Sequence, residues 1–340
     1  METSYWYRGA IHIHSIYSDG EGTLEEIITA GREAGLDYLV MTDHNTLRAR
    51  EKGYEGWHDS LLVAVGEEVS YSREHCLSLG LPRRVNGRQS TRRIVEDIDA
   101  QRGVSIVVHP HGRYRVLFRQ KSYFWRAWDA PFTGIELWSY MFDWIRDVRY
   151  YNLLFRHANP DAWIQGPFPE TVAAWDQLTQ QRKVTAIGGL DVHAKKLPAG
   201  LLVVFPYRQL FETLLTYIIT DTSLTGDPKT ALASLYSALR AGHCYLSYEP
   251  LHHGKGFAFC GRNADGEERM MGDDLRFVPP VDLQVVLPTA AEIRVVRDGA
   301  LYDQATGQTR AVSVTTPGVY RVEARLDGRP WLYSNPMYIK

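Results

Sequence analysis

Over roughly the first 245 residues, short apolar runs alternate with segments of helical periodicity. The run Ala10–Ile13 is followed by Thr23-Leu-Glu-Glu26, which has the form of a capping box. Leu24, Ile27, Ile28 and Ala34 then share one face, and Gly35 stops the helix. Tyr38–Thr42 and Leu61–Val65 read as buried strands. A charged helix near Thr91–Arg102 closes at Gly103, and the strand Val104–Val108 follows. Gly134–Trp138 and Val184–Ile187 are further short strands, with helical patterns at about 143–158 and 170–182. Two more helices close the region, the second starting at Asp227-Pro228 with proline at the first helical position. This alternation predicts an α/β fold with a mainly parallel sheet covered by helices. Six or seven strands favour a barrel over an open sheet.

After about residue 246 the pattern changes. Pro279-Pro280, Arg297-Asp-Gly299, Thr316-Pro-Gly318 and Leu326-Asp-Gly328 are turn signals between short alternating segments. In Tyr320–Leu326 the residues Tyr320, Val322, Ala324 and Leu326 share one face, with Arg321, Glu323 and Arg325 on the other. That is the pattern of a half-exposed antiparallel strand. The expected division is an α/β barrel over 1–245 and a small antiparallel β-sandwich domain over 246–340.

Composition narrows the function classes. Hydrophobic residues make up 44% and charged residues 23% of 340, enough for a sizeable core. The 38 Lys plus Arg against 40 Asp plus Glu leave no extended surface for nucleic acid or anionic membrane. Cys76, Cys244 and Cys260 are widely spaced, which points away from a disulfide framework or a cysteine zinc ribbon and toward the cytoplasm. No apolar stretch long enough for a membrane span is present, and the N-terminus has no secretory pattern. A small-molecule substrate is the expected partner, with the oligomeric state open.

The chemistry collects at strand ends. His12-Ile-His14 follows the first strand, with Asp19 five residues on. The next strand ends in Thr42-Asp-His-Asn45, the next in Gly66-Glu-Glu-Val69, and another in Val108-His-Pro-His111. Glu136 lies in Gly134–Trp138, and a last strand ends in Gly188-Gly-Leu-Asp-Val-His193. In α/β barrels the functional site is built at the carboxyl ends of the strands. Taken singly, each residue has a plainer reading: Asp19 as a turn residue, Asp43 as a cap, Glu67 and Glu68 as a solvated pair. Taken together, nitrogen and oxygen donors without cysteine suit borderline or hard divalent ions with positions left for water.

The ordered set His12-Ile-His-Ser-Ile-Tyr-Ser-Asp-Gly20, Thr42-Asp-His44, Gly66-Glu-Glu68, His109-Pro110 and Asp191-Val-His193 resembles the PHP (polymerase and histidinol phosphatase) superfamily over roughly residues 8–245. The resemblance implies a distorted (β/α)7 barrel holding two or three divalent ions, manganese, zinc or iron. It would give one ion to His12, His14, Glu68 and Asp191. Glu68 would bridge to a second at His109, and Asp19, His44 and His193 would hold a third. It assigns roles in turnover to Glu68, Asp19 and His193. Glu68 is preferred to Glu67 because it aligns with the family's Gly-x-Glu-apolar pattern. One departure stands out: no histidine lies where many members place one between the His-Pro and Asp-x-His motifs. Glu136 or His75 is the expected substitute, and these two resemble a smaller nucleotide- and oligonucleotide-phosphatase-like branch. The C-terminal region looks like an appendage of other branch members.

Two ions about 3.5–4 Å apart lower the pKa of a bridging water and clamp both oxygens of an in-line displacement. A phosphate ester of a small metabolite, a nucleotide or a short oligonucleotide is the natural substrate. Hydrolysis of a carboxylic ester, amide or carbamate, as in carbaryl-hydrolase-like relatives, is the alternative. A metal-stabilised binding module without turnover is a third reading. Arg113, Arg115 and His111, in the basic loop after His109, are the candidate phosphate contacts. Asp43 and Asn45 flank His44 as candidate orienters, Asn45 with loop capping as its equal alternative. Six of the nine tryptophans fall between 125 and 175, where helix packing explains most of them. His58, His157, His243, His252 and His253 are expected to have no metal role.

Overall fold

In the computed structural model, which describes residues 4–116, 119–149, 151–196 and 203–340, local signals become elements where their chemistry requires. The Thr23 hydroxyl accepts from the Glu26 amide, and the Glu26 carboxylate accepts from the Thr23 amide at 2.8 Å. The helix Leu24–Glu33 follows and buries Leu24, Ile27 and Ile28. Asp227 caps the helix Pro228–Ala241, which ends at Gly242 with φ +76°. The strands Tyr38–Met41, Leu61–Val65, Val104–Val107, Gly134–Ser139 and Thr185–Gly189 are buried along their whole length. Covered on both faces, they need no alternation of apolar and polar residues.

The sheet is mixed rather than mainly parallel. Tyr5–Ile13, Tyr38–Met41 and Leu61–Val65 pair in parallel, as do Val104–Val107, Gly134–Ser139 and Thr185–Gly189. Cys76–Leu79, however, lies antiparallel between Glu67–Val69 and Val104–Val107. Leu214–Thr220 runs antiparallel to Tyr5–Ile13, in a stretch where the sequence pattern promised only helices. Among the described residues there is one five-stranded sheet and one fourteen-stranded sheet. Backbone hydrogen bonds join them at two places. Leu190 donates to the Ile11 carbonyl and His14 to that of Val192, both at 3.0 Å, and Asn45 donates to the Glu68 carbonyl at 3.0 Å. Both junctions lie at the carboxyl ends of strands, so the residues following them are brought to one place.

The helical pattern at 143–158 splits into Tyr140–Ile145 and Leu153–Ala158. Asn152 supplies one reason, since its side-chain oxygen takes the Arg149 amide at 2.7 Å and competes with helical hydrogen bonding. Beyond residue 246, Val281–Arg297, Ala300–Val314, Gly318–Leu326 and Arg329–Ser334 pair antiparallel. Their sheet is continuous with the first part of the chain, because Cys244–Tyr248 pairs with Arg329–Ser334. No helix of the described residues is long and apolar enough to cross a membrane.

One strand departs from its pattern. Arg321 and Glu323, expected on an exposed face, are both buried. The helix Pro169–Thr179 covers that face: Arg321 pairs with Asp176, stands 5.1 Å from the centre of the Trp175 ring, and donates to Glu323 at 2.6 Å. Removing one member of a buried ionic group leaves the others uncompensated. Arg321→Ala is therefore expected to lower the unfolding free energy by about 3 kcal/mol. Urea denaturation measures this, and a change inside the experimental scatter would show that the group contributes no net stability.

Candidate metal centre

Backbone strain marks the site. His12 has φ +71°, His109 φ +32° and Asp191 φ +52°, three non-glycine residues in the left-handed region. Each costs roughly 1–2 kcal/mol, and such residues collect where surrounding structure holds a functional arrangement in place. At His12 the pairing of the first two strands shifts register between Ile11 and Ile13. His12 and His14 face a common point through this bulge, not through simple alternation.

Three groups of donor atoms result. In the first, His12 Nε2 lies 3.3 Å from Glu68 Oε2 and 3.4 Å from Asp191 Oδ1, and His14 Nε2 lies 3.3 Å from both. Ligands about 2.0–2.1 Å from one tetrahedral ion would be roughly 3.3–3.4 Å apart, so these spacings fit a shared cation. In the second, Glu68 Oε1 lies 2.6 Å from His75 Nδ1 and 3.2 Å from His109 Nε2. In the third, Asp19 Oδ1 lies 3.0 Å from His193 Nε2, 3.6 Å from His44 Nε2 and 3.8 Å from His14 Nδ1. The Glu68 carboxylate thus turns one oxygen to the first group and the other to the second. His14 turns one nitrogen to the first and the other toward the third.

Hydrogen bonding supports the same fit. His12 Nε2, both His14 nitrogens, Glu68 Oε2 and His109 Nδ1 are buried and make no hydrogen bond. Burying so many unpaired polar atoms is costly unless a cation completes them. The charge balance agrees. Burial alone would push Glu68 up, but His12 and His75 hold its carboxyl well below the ordinary range. Burial likewise opposes a charged His14, yet Asp191 and Glu68 push its pKa up to about 9. Burial lowers His44 to about 4. The carboxylates demand positive charge at the centre.

Partners behind these residues set their orientation. Glu136, expected as a substitute ligand, belongs to none of the three groups. Its Oε2 pairs with the far nitrogen of His12, Nδ1, at 2.8 Å. His75 takes the place beside Glu68 and His109. Ser70 Oγ meets His44 Nδ1 at 2.9 Å, and Asn45 holds Ser70 by two hydrogen bonds. Asp43 accepts from the Ser15 amide and from the Ser15 and Ser18 hydroxyls, which fastens the turn before Asp19. Glu67 is buried on the opposite face from Glu68 and pairs with Arg84 at 2.8 Å, so the two acids are not a solvated pair.

A cavity of about 300 Å³ opens over Asp19, Asp191 and His193. The expected phosphate contacts do not line it. Arg113 pairs with Glu170 at 3.0 Å, His111 with Thr171 Oγ1 at 3.0 Å, and Arg115 is exposed. Arg113–Val116 is an extended hairpin strand, so Arg113 and Arg115 share one face while Tyr114 takes the other and reaches the cavity. That alternation was readable in the sequence. Lys121, Tyr123 and Lys195 also line the cavity. Tyr123 and Lys195 had no sequence signal beyond their neighbourhood. The Tyr123 ring meets those of His75 and His109 edge-on, with centroids 4.8 and 4.6 Å away.

Strand ends that gather histidines and carboxylates into adjoining clusters define a class of metal-binding hydrolase-like domains. Residues 10–154 match the PHP domain. No curated protein matches it. Among solved structures, it is similar to a two-domain protein of Bacteroides vulgatus containing a predicted PHP-like metal-dependent phosphoesterase. That likeness has 13% identity and a TM-score of 0.49, covering 98% of this chain and 95% of that one. An amidohydrolase from Chromobacterium violaceum with bound sulfate and no metal is similar at 15% identity and TM-score 0.32. There the cover is 56% of this chain and 92% of that one. Neither likeness is close enough to carry an activity across.

Glu68→Gln should reduce bound manganese or zinc by at least one ion per chain, because it removes the charge shared by two groups. Glu67→Gln should leave metal content unchanged and act on stability through Arg84. Elemental analysis of both variants decides, and equal retention would show that Glu68 does not join the groups. Glu136→Gln is expected to weaken metal affinity about 10–100-fold by loosening His12, as measured by competition with a chelator.

Proposed function

We propose that the chain is a metal-dependent phosphoesterase acting on a small phosphorylated molecule, with Glu68, Asp19 and His193 central to turnover. The observation that carries this reading is the Glu68 carboxylate, which serves two donor groups under a cavity that also holds Lys121 and Lys195. The nitrogen and oxygen donors fit two or three manganese, zinc or iron ions, which when bound activate water and stabilise charge on a phosphoryl group.

The chain's own residues bind and orient the substrate. Lys195 donates to the Asp19 carbonyl and, like His193, lines the cavity. Lys121 lies over the Tyr123 ring, 4.6 Å from its centre. Two ammonium groups beside acidic groups draw an anionic ester into position without neutralising the metal-holding carboxylates. Asp19 and His193, at 3.0 Å, border the cavity together with Asp191. Phe142 closes the inner side and keeps bulk water from His109, with ring centroids 4.7 Å apart.

The same reading takes the joined strand ends of residues 1–245 as a distorted (β/α)7 barrel. It takes 246–340 as a sandwich-like accessory module, although the two share hydrogen-bonded strands. Three free cysteines support a cytoplasmic location.

The test is a panel of phosphate monoesters and diesters with manganese, run beside p-nitrophenyl acetate. Hydrolysis of a phosphate ester, read as phosphate from monoesters or as the leaving alcohol from diesters, that a chelator abolishes and manganese restores is the expected result. Turnover of the acetate alone would overturn the reading in favour of a carboxyl hydrolase. Lys195→Ala is expected to raise KM for phosphate esters about tenfold with bound metal unchanged, the loss of one charge-assisted contact.

A further inference from the structure

The cavity over the metal groups is chemically mixed, and the metal chemistry uses only its polar part. Asp19, Asp191 and His193 line it, and so do the apolar side chains of Met141, Phe142, Ile145 and Val204. Met141 and Ile145 stand four residues apart on the helix Tyr140–Ile145 and so share a face. Both are left half-buried, as is Val204, while Phe142 on the same helix is buried. Apolar side chains left partly open in a cavity gain by meeting an apolar group of a ligand.

Size limits that ligand. About 300 Å³ stands at the lower end of the roughly 300–1,000 Å³ found for small-molecule sites. A phosphoryl group at the lysines leaves room within that volume for one compact group against Met141, Ile145 and Val204. These three side chains do not offer the hydrogen-bond donors and acceptors that a polyhydroxylated leaving group would require.

Resting on the phosphoesterase reading, we propose that the site selects phosphate esters whose leaving group is a compact apolar or aromatic ring packed against Met141, Ile145 and Val204. Tyr114 and Tyr123 flank the ring, and Lys121 and Lys195 hold the phosphoryl charge. In hydrolysis the phosphorus–oxygen bond to the leaving group breaks, a new one forms to the oxygen of water, and the departing alcohol or phenol takes a proton from that water.

Non-hydrolysable probes separate ring recognition from turnover. Calorimetric titration of the manganese-loaded full chain with phenylphosphonate and with methylphosphonate reads the contribution of the ring. Phenylphosphonate is expected to bind about tenfold tighter or more, as burial of one ring implies. Ile145→Asn and Met141→Gln, each placing a polar group in the apolar lining, are expected to bring the ratio toward one. Equal binding of the two phosphonates by the unaltered chain, or a ratio untouched in both folded variants, overturns this inference and leaves the phosphoesterase reading standing. Failure to bind either phosphonate, together with no hydrolysis of any phosphate ester, overturns both.

Discussion

The carboxylate of Glu68 is the contact on which the rest of the site depends. Fully buried, it has His12, His14 and His44 near one oxygen and His75 and His109 near the other. A lone carboxylate at that depth would be driven to protonate. Surrounded by imidazoles, it is held in its charged form instead, and five histidines from four separate stretches of chain are drawn to one centre. The short strand Glu67–Val69 that carries it also presents Glu67 to the opposite side, where Arg84 takes up the charge. Strand alternation therefore separates a metal-facing acid from a structural one at adjacent positions.

Holding that centre requires backbone conformations that strands do not favour. His12, His109 and Asp191 all lie in the left-handed region, and the register of the first strand pair slips at His12. The opposing stabilisation comes from ordinary sources nearby: buried strands on both faces, and hydrogen bonds that fasten each side chain from behind. Glu136 fixes His12, Ser70 with Asn45 fixes His44, and the Asp191 carbonyl fixes His193. A donor arranged in this way changes little when it takes up a cation, which is the condition for tight binding without reorganisation.

The C-terminal strands take part in the same structure. Cys244–Tyr248 hydrogen-bonds to Leu214–Thr220 on one side and to Arg329–Ser334 on the other. Asn335 extends the connection: its side chain accepts from the Ala186 amide and donates to the Ala186 and Cys244 carbonyls. Because Ala186 lies in the strand that leads to Asp191, packing of the last hundred residues bears on where a metal-group carboxylate stands. The ionic group of Arg321, Asp176 and Glu323 secures a second contact, on the helix Pro169–Thr179.

By itself the sequence determined the local grammar and the donor inventory. Capping at Thr23 and Asp227 and the apolar runs of the buried strands are decided by neighbours in the chain. The placing of His14, His44, His109, Asp191 and His193 just after strands was equally legible, because a strand end is a local event, whereas His12 lies inside Tyr5–Ile13 and Glu68 inside Glu67–Val69. Tertiary structure decided what depends on the far side of a contact. It set His75 rather than Glu136 beside Glu68 and His109, since only the folded register shows which face each presents. It turned Arg113 toward Glu170 and set Lys195, two residues after His193, in the lining of the cavity. It buried Arg321 and Glu323 under a helix that alternation alone cannot see, and joined the two halves through one sheet. Periodicity reports whether a residue is apolar-facing. What covers that face is settled only when the chain returns to it.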